Sequence, residues 1–129
     1  MATSDERLPP LKNQSFPARL RFALAGVAHA LRAERSLRTQ ALALAAVLGV
    51  LLWLRPEPVW WALVALASAG VLAAELLNTA LERLADHLHP DLHEQVRIAK
   101  DCAAGAVLLA SIGALAVAVA LAVHLWPRP

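Results

Sequence analysis

One cysteine, Cys102, and five glycines are all that 129 residues contain, and each scarcity excludes something. A single thiol rules out an internal disulfide framework and a cysteine-based metal site within one subunit, so Cys102 reads as a small buried apolar side chain. So little glycine, set against long runs of alanine and leucine, argues for helices rather than the alternating strands of an outer-membrane barrel. Neither a Walker phosphate loop nor a glycine-rich dinucleotide fingerprint occurs, so any nucleotide chemistry must be built by other means. The first ten residues carry Asp5 and Glu6 and no basic region leading into an apolar core. They do not read as a secretory signal, and the membrane segments themselves are expected to direct insertion.

What the chain has in abundance is apolar surface. At 59% hydrophobic residues and a mean hydropathy of +0.55 it is too apolar for an ordinary soluble protein, and the bilayer is its expected solvent. The net charge is only +2, but seven of the twelve basic residues precede Gln40. Arg19, Arg21, Arg32, Arg35 and Arg38 lie ahead of the first strongly apolar run, which suits an anionic cytoplasmic membrane surface. No base-stacking aromatics are interleaved with them, so no nucleic-acid partner is expected.

Residues 1–14, with Ser4, Pro9, Pro10 and Asn13, show no apolar period and read as a mobile tail ahead of one membrane domain, 15–129. Over about 16–33, Leu20, Leu24, Val27 and Leu31 keep the spacing of one helical face while Arg19, Arg21 and Arg32 fall elsewhere around it. This is the pattern of a basic amphipathic helix lying in the interface. Three apolar tracts follow, with spans expected at about 36–54, 59–86 and 98–126. Arg55-Pro56-Glu57-Pro58 ends the first. Trp60 and Trp61 anchor the start of the second, whose helical sequence runs on to about His89-Pro90 and should project into water. The arginine-rich entry, with Arg97 and Lys100 beside the second loop, places the N-terminus and that loop in the cytoplasm and the C-terminus in the periplasm. The expectation is an all-α protein of a bacterial-type inner membrane.

The polar residues at the membrane ends carry the chemistry. Glu75, Asn78, Glu82 and Asp86 are spaced by three, four and four residues, so they form one stripe along a helix. A solvated face accounts for Asp86 about as well as a function does. Glu75 is different, because it directly follows a sixteen-residue apolar run, Val59–Ala74, and an unpaired carboxylate near hydrocarbon is costly. The expected topology also gathers Glu34, Lys100 and Asp101 at the same cytoplasmic interface, where ATP is available. Carboxylates there can hold magnesium, a lysine can offset phosphate charge, and a carboxylate can accept a proton from an attacking hydroxyl.

The stretch Glu75-Leu-Leu-Asn78-Thr-Ala-Leu-Glu82-Arg-Leu-Ala-Asp86, followed by His93 and Ile98-Ala-Lys100-Asp101-Cys-Ala-Ala-Gly105-Ala, resembles the signature of the prokaryotic diacylglycerol kinase family, which includes undecaprenol kinases. The similarity extends from about Phe16 to the end of the third span. The segment Ala30-Leu-Arg-Ala-Glu34-Arg-Ser36-Leu-Arg38 is similar to the family's glutamate-containing entry to the first span. Ser36 stands where many relatives carry asparagine or alanine, and Gln40 where many carry histidine or glutamate. The resemblance implies a homotrimer with composite sites near the membrane surface, phosphorylating a lipid alcohol with magnesium and ATP. On the matching positions it implies that Glu34 and Glu82 hold the metal bound to ATP and that Glu75 is the general base. It further implies that Asn78, Lys100 and Asp101 position phosphate and neighbouring polar groups, with Asp86 counted among the ATP-site residues. Diacylglycerol is the favoured substrate, with undecaprenol the alternative.

Other readings of the same residues stand beside this one. His87, His89 and His93 have spacing that would suit zinc, but Pro90 interrupts them and no cysteine is near, so solvated interfacial histidines suffice. His93 alone matches a family position. His124 reads as a periplasmic interface residue. A cation transporter would place ionisable residues near the midplane of several helices, yet the centres of the first and third tracts hold no carboxylate. A non-enzymatic scaffold would rely on small-residue faces such as Ala69-Gly70 and Ser111-x-Gly113, which pack helices under every reading.

Overall fold

The computed structural model describes residues 14–91 and 93–126, and these fold into four helices: α1, Phe16–Ala33; α2, Arg35–Leu54; α3, Pro58–Leu88; and α4, Glu94–Leu125. No strand occurs among the described residues. The expected tail at 1–13 and the chain beyond Trp126 lie outside them.

The breaks between helices have distinct local causes. α1 and α2 are separated by one residue, Glu34, which takes an extended conformation at φ −103° and ψ 121°. Its N–H still donates to the Ala30 carbonyl at 2.8 Å, closing α1, while its own carbonyl accepts from the Arg38 N–H at 3.3 Å, opening α2. The Arg38 guanidinium reaches back to the carbonyl of Arg32 at 2.8 Å, satisfying an acceptor that the end of α1 leaves open. The result is an elbow rather than a loop. α2 ends on Arg55, which is left-handed at φ 47°, and Pro56 follows. Pro58 then starts α3 at a position where its missing N–H costs nothing. α4 starts at Glu94, earlier than the apolar tract alone indicated, because the His93 ring accepts the Gln95 N–H at 3.2 Å and caps it.

α2, α3 and α4 are each long and apolar enough to cross a membrane. The 31 residues of α3 extend about 46 Å, against a hydrocarbon core of about 30 Å. Counted from Pro58 and Trp60 at one interface, the far boundary falls near Glu75 to Asn78, and the last turns stand in water. α4 runs antiparallel to α3 and packs chiefly along it, so the turns from Glu94 to Asp101 project on the same side.

The small core sits at the opposite end, where Leu51 of α2, Val64 of α3 and Leu121 of α4 meet, flanked by Trp60, Trp61 and Val117. His124 lies at this end with its ring 5.2 Å from that of Trp60. Leu51 is fully enclosed, at 0% exposure. Leu51→Ala should therefore lower stability by about 2–5 kcal/mol, read as the unfolding midpoint in mixed micelles, whereas Leu109→Ala, at 71% exposure, should change it little. Equal losses at both positions would mean that the core lies elsewhere.

Most other large apolar side chains face outward, as lipid or neighbouring subunits require. Leu20, Leu24 and Val27 on α1 are among them, the face expected to lie on the interface. Cys102 is exposed on α4, which corrects its reading as a buried side chain. α4 leans on α3 along one face only, and Cys102 falls outside that face. A methyl group added at Gly70 or Gly113 would meet nothing within 4 Å, so these small-residue positions seat no neighbouring helix within one chain.

Candidate active site

The acidic stripe occupies the α3 face that emerges from the apolar span. Glu75 is buried at 6% exposure, and among the described residues no side chain donates to its carboxylate. Thr79, one turn on, is buried beside it at 7%. Asn78 Nδ2 donates to Glu82 Oε1 at 3.2 Å, the contact that i and i+4 positions of a helix allow. The other end of the same amide, Asn78 Oδ1, is buried without a partner among the described residues. A buried glutamate and an orphaned amide oxygen, one turn apart, are expensive to keep unless something binds there.

Glu34 approaches from the elbow. Its carboxylate stands at the N-cap of α2 yet caps no N–H of that helix. It accepts instead from Arg83 Nη2 on α3, with Oε1 at 2.9 Å, next in sequence to Glu82. The second arm of Arg83, Nη1, lies 3.2 Å from His29 Nε2 of α1. A groove of about 420 Å³ runs between α1 and α3 at this level, lined by Gly26, Val27, Leu76, Thr79 and Arg83 among others.

At the water-facing end, Lys100 of α4 pairs with Asp86 of α3, tying the two helices across the turn. Asp101 accepts from Arg97 at 2.8 Å, and Arg97 also binds Glu94, so Asp101 belongs to a solvated ion-pair network on α4 itself. Of the residues singled out in the sequence, Glu75, Asn78 and Glu82 thus share one face, with Glu34 joined to its flank. Lys100 and Asp86 are joined to each other, and Asp101 stands apart from the stripe. His87, His89 and His93 are all exposed, and no group of three or more His, Cys, Asp or Glu fit to hold a metal occurs among the described residues. Magnesium asks for less, taking one or two carboxylates and completing its shell with phosphate oxygens and water, so the donors Glu34 and Glu82 fit it in kind.

Arg83, His29 and Thr79 are the site residues that sequence patterning missed. Arg83 falls off the stripe by one residue, about 100° around the helix. Nothing local announces that it meets residues 49 and 54 positions earlier.

Residues 21–122 match the family described as prokaryotic diacylglycerol kinase. The chain is 45% identical over 98 residues to a diacylglycerol kinase of Synechocystis sp., covering 75% of this chain and 56% of that protein, so it spans little more than half the length of that relative. It is also 33% identical over 87 residues to an undecaprenol kinase of Bacillus subtilis, covering 67% of this chain and 71% of the other. A match that begins in α1 and reaches the last turn of α4 takes in every helix, and the chain accordingly belongs to the prokaryotic diacylglycerol kinase family.

Proposed function

We propose that this protein is a lipid kinase that transfers the γ-phosphoryl group of ATP to the hydroxyl of a membrane lipid alcohol. The observation that carries the reading is Glu75, a buried carboxylate with no donor among the described residues, placed where α3 leaves the apolar span and one turn from Asn78 and Glu82. Family membership supports the same chemistry. The lipid hydroxyl attacks the γ-phosphorus in line and its proton passes to Glu75. A new P–O bond forms as the bond from the γ-phosphorus to the β–γ bridging oxygen breaks, and ADP leaves. Glu34 and Glu82 would hold magnesium, which supplies charge neutralisation at the phosphates. Asn78 orients a hydroxyl group through its open amide oxygen, which can only accept, while Lys100, paired with Asp86, offsets phosphate charge at the water-facing end.

The groove between α1 and α3 is lined on α3 by Leu76, Thr79, Ala80 and Arg83, the first two adjacent to Glu75 and one turn on from it, and is apolar enough to take an acyl or prenyl chain. The basic face of α1 and the arginines around the start of α2 support an orientation with this end at the cytoplasmic side of a bacterial-type inner membrane and the C-terminus periplasmic. Outward-facing apolar side chains along all three spans, and an acidic site open on one side, favour assembly of copies, and we assign a homotrimer on the family resemblance.

The favoured substrate is diacylglycerol, following the Synechocystis relative. Undecaprenol is a second reading because the Bacillus subtilis relative is named for it. Purified protein in mixed micelles, given radiolabelled ATP and each lipid separately, should label one lipid. Chelation of magnesium should abolish the transfer and added magnesium restore it. Labelling of neither lipid by folded protein would overturn the kinase reading and leave cation binding as the leading explanation of the stripe.

A further inference from the structure

We infer that Arg83 is a positioning residue for phosphoryl transfer, acting through Glu34. The inference rests on the kinase reading above. Its observation is a fork: one guanidinium holds Glu34 Oε1 at 2.9 Å and His29 Nε2 at 3.2 Å, gripping the elbow and the last turns of α1 from α3. Arginine can only donate, so in this contact His29 Nε2 is the acceptor. Two limbs from one planar group define an orientation, where a single contact would define only a distance.

Stability does not account for the arrangement. The Arg83 and Glu34 side chains are 49% and 34% exposed, and ion pairs of that kind add at most about 1 kcal/mol. Its effect is geometric. Glu34 is the one residue between two helices, extended and without a cap contact of its own, so its carboxylate has no local reason to face α3. Arg83 supplies that reason, and it takes only Oε1. Oε2 has no donor among the described residues, and it is the oxygen that would be available to a cation. Arg38 sets the elbow from the other side, through the carbonyls of Leu31 and Arg32. The carboxylate thus meets α3 at the residue that follows Glu82, although Glu34 and Glu82 are 48 positions apart in sequence.

The test compares wild type, Arg83→Ala, Arg83→Lys and His29→Ala as full chains in micelles, reading kcat, the KM values for magnesium-ATP and for lipid, and the unfolding midpoint. Loss of a partner that orients a metal ligand costs roughly 10–100-fold in metal affinity, so Arg83→Ala should raise the magnesium-ATP KM by about that factor. The lipid KM and the midpoint should hardly move. Arg83→Lys keeps the charge but cannot fork, and should recover only part of the loss. His29→Ala removes one limb and should give a smaller rise in the same constant, which decides the matter should Arg83→Ala fail to fold. Wild-type constants in Arg83→Lys would show that charge alone suffices and overturn the inference, as would unchanged constants in Arg83→Ala or in His29→Ala. A wild type that phosphorylates no lipid would instead remove the kinase reading itself, and the inference with it.

Discussion

Glu82→Gln is expected to abolish lipid phosphorylation while leaving the protein folded and its oligomeric state unchanged. The two side chains are nearly isosteric, and the contact from Asn78 Nδ2 to Oε1 survives because a glutamine carbonyl accepts as a carboxylate does. What is lost is a negative charge and a hard oxygen ligand. Magnesium contributes several kcal/mol of charge stabilisation in such reactions and each 1.36 kcal/mol is a factor of ten, so the rate should fall roughly a thousand-fold or more. Raising magnesium should not restore it, because an amide is a poor ligand at any concentration. Glu82→Asp keeps the charge on a shorter arm and should retain measurable turnover. The assay is labelled phosphate transfer to diacylglycerol, with helix content and elution volume as fold controls. Near-normal turnover in Glu82→Gln would remove Glu82 from the metal site and transfer that role to other carboxylates of the face.

The parts of this protein that were legible in its sequence are those governed by local periodicity. Apolar runs of spanning length, the Arg55–Pro58 break and the three-four-four spacing of Glu75, Asn78, Glu82 and Asp86 are each set by neighbours within a few turns, and α2, α3 and α4 lie over the expected tracts. The elbow at Glu34 is harder to read. It contains neither proline nor glycine, and its shape is held by Arg38 and by Arg83, the latter 49 residues away. The start of α4 was hidden for a related reason. Its first turns are solvated and held by His93, Glu94, Arg97 and Asp101, so a search for apolar residues begins too late. Cys102 shows the limit of composition as a guide to burial. Cysteine is usually buried, yet in a chain whose helices meet along narrow faces most positions look outward. The pairing of Asp101 with Arg97 instead of with the stripe follows from i,i+4 proximity on α4, which the motif itself does not reveal.

Glu75→Gln should lower kcat by about 10²–10⁴-fold, the usual contribution of a positioned general base, with the KM for magnesium-ATP nearly unchanged. The second half of the expectation separates Glu75 from Glu82, since in the proposed reaction the base acts on the lipid hydroxyl and the metal ligands act on the nucleotide. Stability supplies an independent test. At 6% exposure and with no side-chain donor among the described residues, Glu75 holds a carboxylate where part of its hydration is given up, which costs free energy. A neutral amide of the same shape relieves that cost, so Glu75→Gln should unfold at the same temperature as wild type or higher. A residue kept for structure would show the reverse, losing stability on substitution and activity only as a consequence. Activity lost with stability gained is the behaviour of a group retained for chemistry at the expense of folding. Glu75→Asp refines the point, because it keeps the charge but withdraws the carboxylate, and a displacement of about 1 Å can cost ~10²-fold in rate. The aspartate should therefore be slow and no more stable than wild type, and the glutamine slower still and more stable. If Glu75→Gln turned over normally, the proton would have to leave by another acceptor. Asp86 and Asp101, two other carboxylates on α3 and α4, are both exposed and held in ion pairs, and neither shares the burial of Glu75.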